Sequence, residues 1–334
     1  MKKHLLAKWL PRQSKIYNNN VDFTKDIIKY LNLTPKQWRK QLVELTKVVE
    51  TQMCNKEWKQ ISYSGVPSIA NVKYNKAFLR NDEQRRREFL AKAIKGEVKI
   101  QSTVAYPNDV LYRTGVKGDW QTATAMWNQL PDYLEGTGFN ILPICDVSGS
   151  MSGTPMEVSI SLGIYLSERN KGLFKDTFMT FSGNPKLQVL KGNLKEKYMQ
   201  LSKAEWERNT NLEKVFSTLL GTAVAYKVPT DEMPSHLLII SDMAFDRCVT
   251  DSKNVTLFEH ARKAYQSAGY EMPNIIFWNV DDGGNVPIKY STSGVGLVSG
   301  YSPSVMKAVL SGEIDPVKIM VRAVVQEKYQ KFIA

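Results

Sequence analysis

The stretch "FNILPICDVSGSMSGTPMEVSISLGIYL", residues 139–166, decides how the rest of the chain is read. It opens with an apolar run of the kind found in a strand covered on both faces. It closes with Thr154-Pro155-Met156-Glu157, a capping-box pattern with proline at the first helical position, and then an apolar helical segment. Between them stand Asp146 and three closely spaced hydroxyls, where an ordinary turn would suffice. A buried strand, an oxygen-rich loop and a capped helix predict a ligand site beyond the carboxyl end of a parallel strand.

The pattern repeats along the chain. "FKDTFMTF", "KLQVL", "HLLIISD", "NIIFWNV" and "GVGLVSG" read as further strands, with helices beginning at Thr154, Asn211, Val255, Ser302 and Asp315. Alternating buried strands and helices predict a doubly wound, mostly parallel α/β sheet over residues 138–334. Ser148 and Ser150 follow Asp146 at i+2 and i+4, so on an extended loop the three oxygen donors converge. Few charges among hard oxygen ligands suit Mg²⁺, or the related Mn²⁺ or Ca²⁺, with some waters retained. Thr210, before a helix, and Asp242, ending the "HLLIISD" strand, lie where such a fold brings them near the same edge.

Residues 1–137 read differently. "LTPKQWRKQLVELTKVVETQM" predicts one helix with Thr34 as cap and Pro35 at the first position, and "EQRRREFLAKAIKG" predicts another that stops at Gly96. The intervening "ISYSGVPSIANVKYNKAF" reads as a loop. The formal charge of +12 is concentrated here: residues 1–137 hold 24 Lys+Arg and 13 Asp+Glu, against 21 and 20 in the remainder. That asymmetry predicts a polyanionic partner, with RNA the first candidate and a merely solvated surface the other reading. Candidate contacts are Arg85, Arg86 and Arg87, with Arg39, Lys73 and Arg80 beside Trp38 and Tyr74, although Trp38 also fits the apolar period of its helix.

Other chemistries find no support. A nucleophile elbow needs a serine where Met151 stands between Gly149 and Gly153, and the chain has no Gly-Lys dipeptide for a P-loop. His4, His236 and His260 share no ligand spacing, and neither do Cys54, Cys145 and Cys248, which read as buried thiols of a reducing compartment. No run is apolar enough to span a membrane, so a cytoplasmic, non-enzymatic protein is expected.

Asp146, Ser148, Ser150, Thr210 and Asp242 together resemble the metal-ion-dependent adhesion site of von Willebrand factor A domains. The blocks "LAKWLPR", "VVETQMCNKEWKQISYSGVPSIA", "CDVSGSMSG", "FSGNPKLQVL", "NTNLEKVF", "LLIISDMAFD", "IIFWNV" and "GLVSGYS" resemble domain of unknown function 2828, from phages, large viruses, plants and fungi, along almost the whole chain. The resemblance implies a von Willebrand A domain behind a mostly helical region, similar to the Ro (TROVE) RNA-binding proteins. Because the hydroxyl ligands are neutral, the site is expected to capture an acidic group on a partner; the alternative is a phage or viral assembly role in which a neighbouring subunit fills the site, in the host cytoplasm or the virion. Longer members carry helices upstream, so a separately encoded helical protein or a second copy of this chain is expected to dock on residues 1–137.

Overall fold

The computed structural model describes residues 10, 21–46, 48–204, 211–242, 251–280, 295–301, 303–310, 321 and 325. The chain forms two compact units, Met1–Gln101 and Ser102–Ala334.

The N-terminal unit consists of α1 (Val21–Tyr30), α2 (Pro35–Leu45), α3 (Val49–Cys54), α4 (Ser68–Asn81) and α5 (Glu83–Ile94). The capping box at Thr34 forms as its sequence dictates: Thr34 Oγ1 accepts from Gln37 N at 3.2 Å, and Gln37 Oε1 accepts from Thr34 N at 2.8 Å. The predicted long helix is broken, because Thr46 and Val48 leave the helical conformation before α3 starts. Both are β-branched and lose side-chain freedom in a helix, which weakens the segment there.

Helix α4 occupies the stretch that reads as loop. Its buried face mixes Ser68, Asn71 and Asn75 with Ala70 and Phe78, so the apolar stripe that announces a helix is missing. Asn71 tolerates burial because its amide donates to the Val66 carbonyl at 2.9 Å. Helix α5 ends as predicted, with Gly96 at φ +78°. Two small cores hold this unit, one around Trp38, Leu42 and Ile28, the other around Ile61, Tyr63, Val66 and Phe78.

Residues 102–137, which the sequence groups with the helices, lie in the second unit. They contain a π-helical turn, Asp109–Val116, and α6 (Trp120–Trp127), and they are tied to α7 (Thr154–Arg169). Trp127 Nε1 donates to Glu168 at 2.6 Å, and the Tyr165 hydroxyl donates to the Pro131 carbonyl at 2.5 Å and accepts from Tyr133 N at 3.2 Å. Lys117 pairs with Glu157 at 2.9 Å. That pair replaces the predicted capping box: Gly153, at φ +94°, holds the cap position of α7, and Glu157 turns to Lys117.

The sheet contains β1 (Ile141–Cys145), β2 (Thr177–Thr180), β3 (Leu187–Val189), β4 (His236–Ser241), β5 (Asn274–Asn279) and β6 (Val295–Ser299). Its order is β3-β2-β1-β4-β5-β6, parallel except for β3. Pro143 is tolerated inside it because the ladder to β2 starts only at Ile144. Remaining helices are α8 (Leu194–Ser202), α9 (Leu212–Tyr226), α10 (Asp251–Ser267) and α11 (Pro303–Leu310). On one face Leu142, Ile144, Leu237, Ile239, Ile275 and Phe277 form a core with α9 and α10. On the other, the Cys145 thiol reaches Ser159 of α7 and would meet any side chain at Gly163. The chain runs from β1 out to β2 and later returns to β4 on the other side of β1, so the topological switch lies between β1 and β4. This is a doubly wound, mostly parallel α/β sheet preceded in the chain by a helical region. No described helix is long and apolar enough to cross a membrane. The predicted helix start at Asp315 lies outside the described residues.

Candidate metal site and basic surface

Asp146 and Asp242 stand at the carboxyl ends of the two strands that flank the switch. The ladder carries on past β1, with Asp146 N donating to the Ile240 carbonyl at 3.0 Å. Both acids are buried, at 2% and 7% exposure. Asp146 Oδ1 accepts from Ser148 N at 2.9 Å, and Oδ2 accepts from Ser241 Oγ at 2.7 Å. A 3₁₀ turn over Gly149–Met151 then folds Ser150 back until its Oγ lies 3.0 Å from Ser148 Oγ, at the rim of the site. Burial pushes the Asp146 carboxyl above its ordinary range, the hydrogen bonds from Ser148 and Ser241 oppose this, and the charge of Asp242 adds to the rise.

This donor set fits a divalent cation. Burial makes the charged form of Asp146 costly, and a bound cation would relieve that cost, while the neutral hydroxyls add hard oxygen ligands without further charge. No group of three or more His, Cys, Asp or Glu residues able to hold a metal exists among the described residues. Asp146, Ser148, Ser150 and Asp242 are therefore brought to one edge. Thr210 lies outside the described residues. Helix α9, which follows it, is capped by Asn211 and tied by Lys214 Nζ to the Gly183 carbonyl at 2.8 Å, just beyond β2.

Ser241 was not nominated by sequence reasoning. A serine inside "HLLIIS" reads as a small residue in a buried strand, and its distance of 95 residues from Asp146 hides the contact. The cysteine reading is corrected in part: Cys145 is buried but Cys54 is exposed, and Cys248 lies outside the described residues.

The arginine cluster needs a larger correction. Arg86 has no exposed surface, and its guanidinium lies 4.9 Å from the ring centre of Tyr63, 5.3 Å from Phe78 and 5.6 Å from Phe89. Consecutive helical positions point to different sides, and position 86 points inward. Arg85 serves the fold as well, binding Asp82 at 2.5 Å and donating to the carbonyls of Ile61 and Trp58 at 2.8 and 2.6 Å. Arg87 is partly exposed beside Glu83 at 3.6 Å. Arg39, Lys73 and Arg80 are exposed, Tyr74 is half-buried, and Trp38 is core. Structural units sharpen the charge asymmetry: residues 1–101 hold 22 Lys+Arg against 9 Asp+Glu, and residues 102–334 hold 23 against 24.

Comparison with known proteins agrees with this layout. Residues 140–331 match the family model described as domain of unknown function DUF7788, and residues 5–135 match domain of unknown function DUF2828. The blocks that resemble one family thus divide between two adjoining models, whose junction follows residue 135, while the compact units divide at residue 101. An uncharacterized protein, L728, of Acanthamoeba polyphaga mimivirus is 30% identical over 332 residues, covering 92% of this chain and 58% of its own length. The crystal structure of the Deinococcus radiodurans Ro (RSR) protein superposes with a TM-score of 0.51 at 11% identity, over 90% of this chain and 65% of that one. The chain therefore spans less than two thirds of either relative, and the Ro likeness is one of fold.

Proposed function

The chain belongs to the DUF7788 family, and from that premise we propose that it is a non-enzymatic, divalent-metal-dependent binding protein, a Ro-like ribonucleoprotein component. The observation that carries this reading is the convergence of Asp146, Ser148, Ser150 and Asp242 at the β1–β4 switch, with only two of the four charged. Thr210, the fifth residue the sequence puts forward, lies outside the described residues. When bound, a Mg²⁺-class ion, or Mn²⁺ or Ca²⁺, would supply an electrophilic position for a partner's carboxylate or phosphate oxygen. The chain's own residues do the rest. Ser241 and the Ser148 backbone orient the Asp146 carboxylate, and the neutral serine hydroxyls leave positive charge uncompensated toward solvent. The basic N-terminal unit supports RNA as a partner, through phosphate contacts. Its absence of an enzymatic role rests on the lack of a nucleophile or phosphate-cradle motif in the sequence.

Thermal melts with and without a few millimolar Mg²⁺ or Mn²⁺ test the site. A ligand at 10 to 100 times its Kd stabilises the folded state by about 1.4–2.7 kcal/mol. Wild type should gain that increment, and Asp146→Ala or Asp242→Ala should abolish it. Equal responses in all three proteins would remove the metal-site reading. The mimivirus relative favours one second reading, a viral structural or assembly protein in which a neighbouring subunit supplies the acid. Stoichiometric presence in particles would select it over copurification with RNA.

A further inference from the structure

We propose that the exposed face of α4 is the surface on which the N-terminal unit holds the phosphate backbone of single-stranded RNA. This rests on the RNA reading above and names its residues: Lys73 and Arg80, which the sequence puts forward, joined by Lys76, which it does not. Lys73, Lys76 and Arg80 fall at i, i+3 and i+7, so the helix gathers them into one stripe about 10 Å long. All three are exposed.

Several observations separate this stripe from an ordinary solvated face. Helix α4 contains no Asp or Glu at any position. Among the described residues none of its three cations has an ion pair, a condition shared with scattered exposed lysines such as Lys92, Lys95 and Lys99, but here the three are gathered on one helix face. Like charges three and four residues apart oppose helix formation. The next helix shows the usual remedy, with Arg87 set against Glu83 at i, i+4. A helix that gathers three mutually repelling cations on one face, with no ion pair to a described residue, is suited to a polyanion at the expense of its own stability. Tyr74 steadies the middle of the stripe: the Lys73 ammonium lies 5.2 Å from its ring centre, and its hydroxyl donates to Glu50 at 3.1 Å. The whole positive excess of the chain lies in the same unit, which favours a long anionic chain over a single anion.

The test uses the full chain and a fluorescent single-stranded RNA of roughly 20 nucleotides, with anisotropy read between about 50 and 300 mM KCl. Lys73→Glu/Lys76→Glu/Arg80→Glu should weaken binding at least about tenfold. The neutral Lys73→Gln/Lys76→Gln/Arg80→Gln form should flatten the log Kd against log salt slope by about two, since each single-strand phosphate contact contributes about 0.7. Lys92→Glu/Lys95→Glu/Lys99→Glu makes the same charge change at exposed positions of the same unit and should alter affinity less than about threefold. Circular dichroism melts check that every variant folds, and the glutamine form removes any effect of new acids. Equal weakening by stripe and control variants would overturn the stripe while leaving RNA binding in place. Absence of wild-type binding at the lowest salt would overturn the RNA reading itself. Tighter wild-type binding to polyglutamate than to RNA would assign the stripe to an acidic protein and overturn the proposal.

Discussion

Arg86→Ala should cost the N-terminal unit about 3–5 kcal/mol, although the sequence presents Arg86 as one of three equivalent surface arginines. Its guanidinium is fully buried and lies within 4.9 to 5.6 Å of the ring centres of Tyr63, Phe78 and Phe89. A desolvated cation–π contact is worth about 2 kcal/mol, and the three share one guanidinium, so their sum stays near 2–3 kcal/mol. Deleting the buried stem leaves a cavity, and large-to-small core changes cost about 2–5 kcal/mol on their own. The two contributions overlap, which sets the estimate. A unit of this size has only about 5–15 kcal/mol in total, so the variant should remain folded but open often. Hydrogen exchange on peptides covering residues 68–94 reads this locally, without interference from the sheet unit. Since 1.4 kcal/mol is a factor of ten, protection should fall by roughly 10² to 10³·⁵. Arg87→Ala, beside a half-exposed pair, should change protection less than about threefold. If Arg86→Ala behaves like Arg87→Ala, the guanidinium is not held among the rings and the surface reading of Arg86 returns.

Ser241→Ala removes the hydroxyl 2.7 Å from Asp146 Oδ2, a charge-assisted bond worth about 1.5–3 kcal/mol. The Mg²⁺ increment in melting temperature should shrink without vanishing and return in Ser241→Thr; a full increment in the alanine variant would mean Ser241 does not orient the site. Burial lowers the His236 pKa below 6.5, so the unfolded chain takes up its proton at higher pH than the folded one. The stability due to neutral His236 is complete above that pH and is lost as the pH falls, and His236→Asn should flatten the decline in melting temperature between about pH 7 and 5; an unaltered slope counts against it. Burial pushes the Cys145 thiol up to about 12, whereas Cys54 is exposed. Native protein at about pH 8 should take maleimide on Cys54 and not on Cys145, and equal labelling by peptide mass spectrometry would contradict the buried placement.

The six strands and the oxygen-rich loop after β1 could be read directly from the chain because their signals are local. A strand buried on both faces needs a continuous apolar run, as in residues 141–145, 236–241 and 274–279. An acid followed by spaced hydroxyls and glycines identifies the loop at 146–153 without reference to any partner. Helix caps such as Thr34–Gln37 and the stop at Gly96 are local too. Other features were set by residues far apart in the chain. Ser241 reaches Asp146 across 95 residues only because β4 lies beside β1. Helix α4 has a polar buried face, and it is helical because Asn71 finds the Val66 carbonyl and Phe78 finds a core. Residues 102–137 look helical and basic by neighbourhood, yet Trp127, Pro131 and Tyr133 bind α7 and carry the segment into the sheet unit. Arg85, Arg86 and Arg87 are chemically identical, and which one is buried depends on where Tyr63, Phe78 and Phe89 come to rest. Propensity and periodicity describe what a segment can bury; only the tertiary contacts decide which face meets a partner and which stays in water.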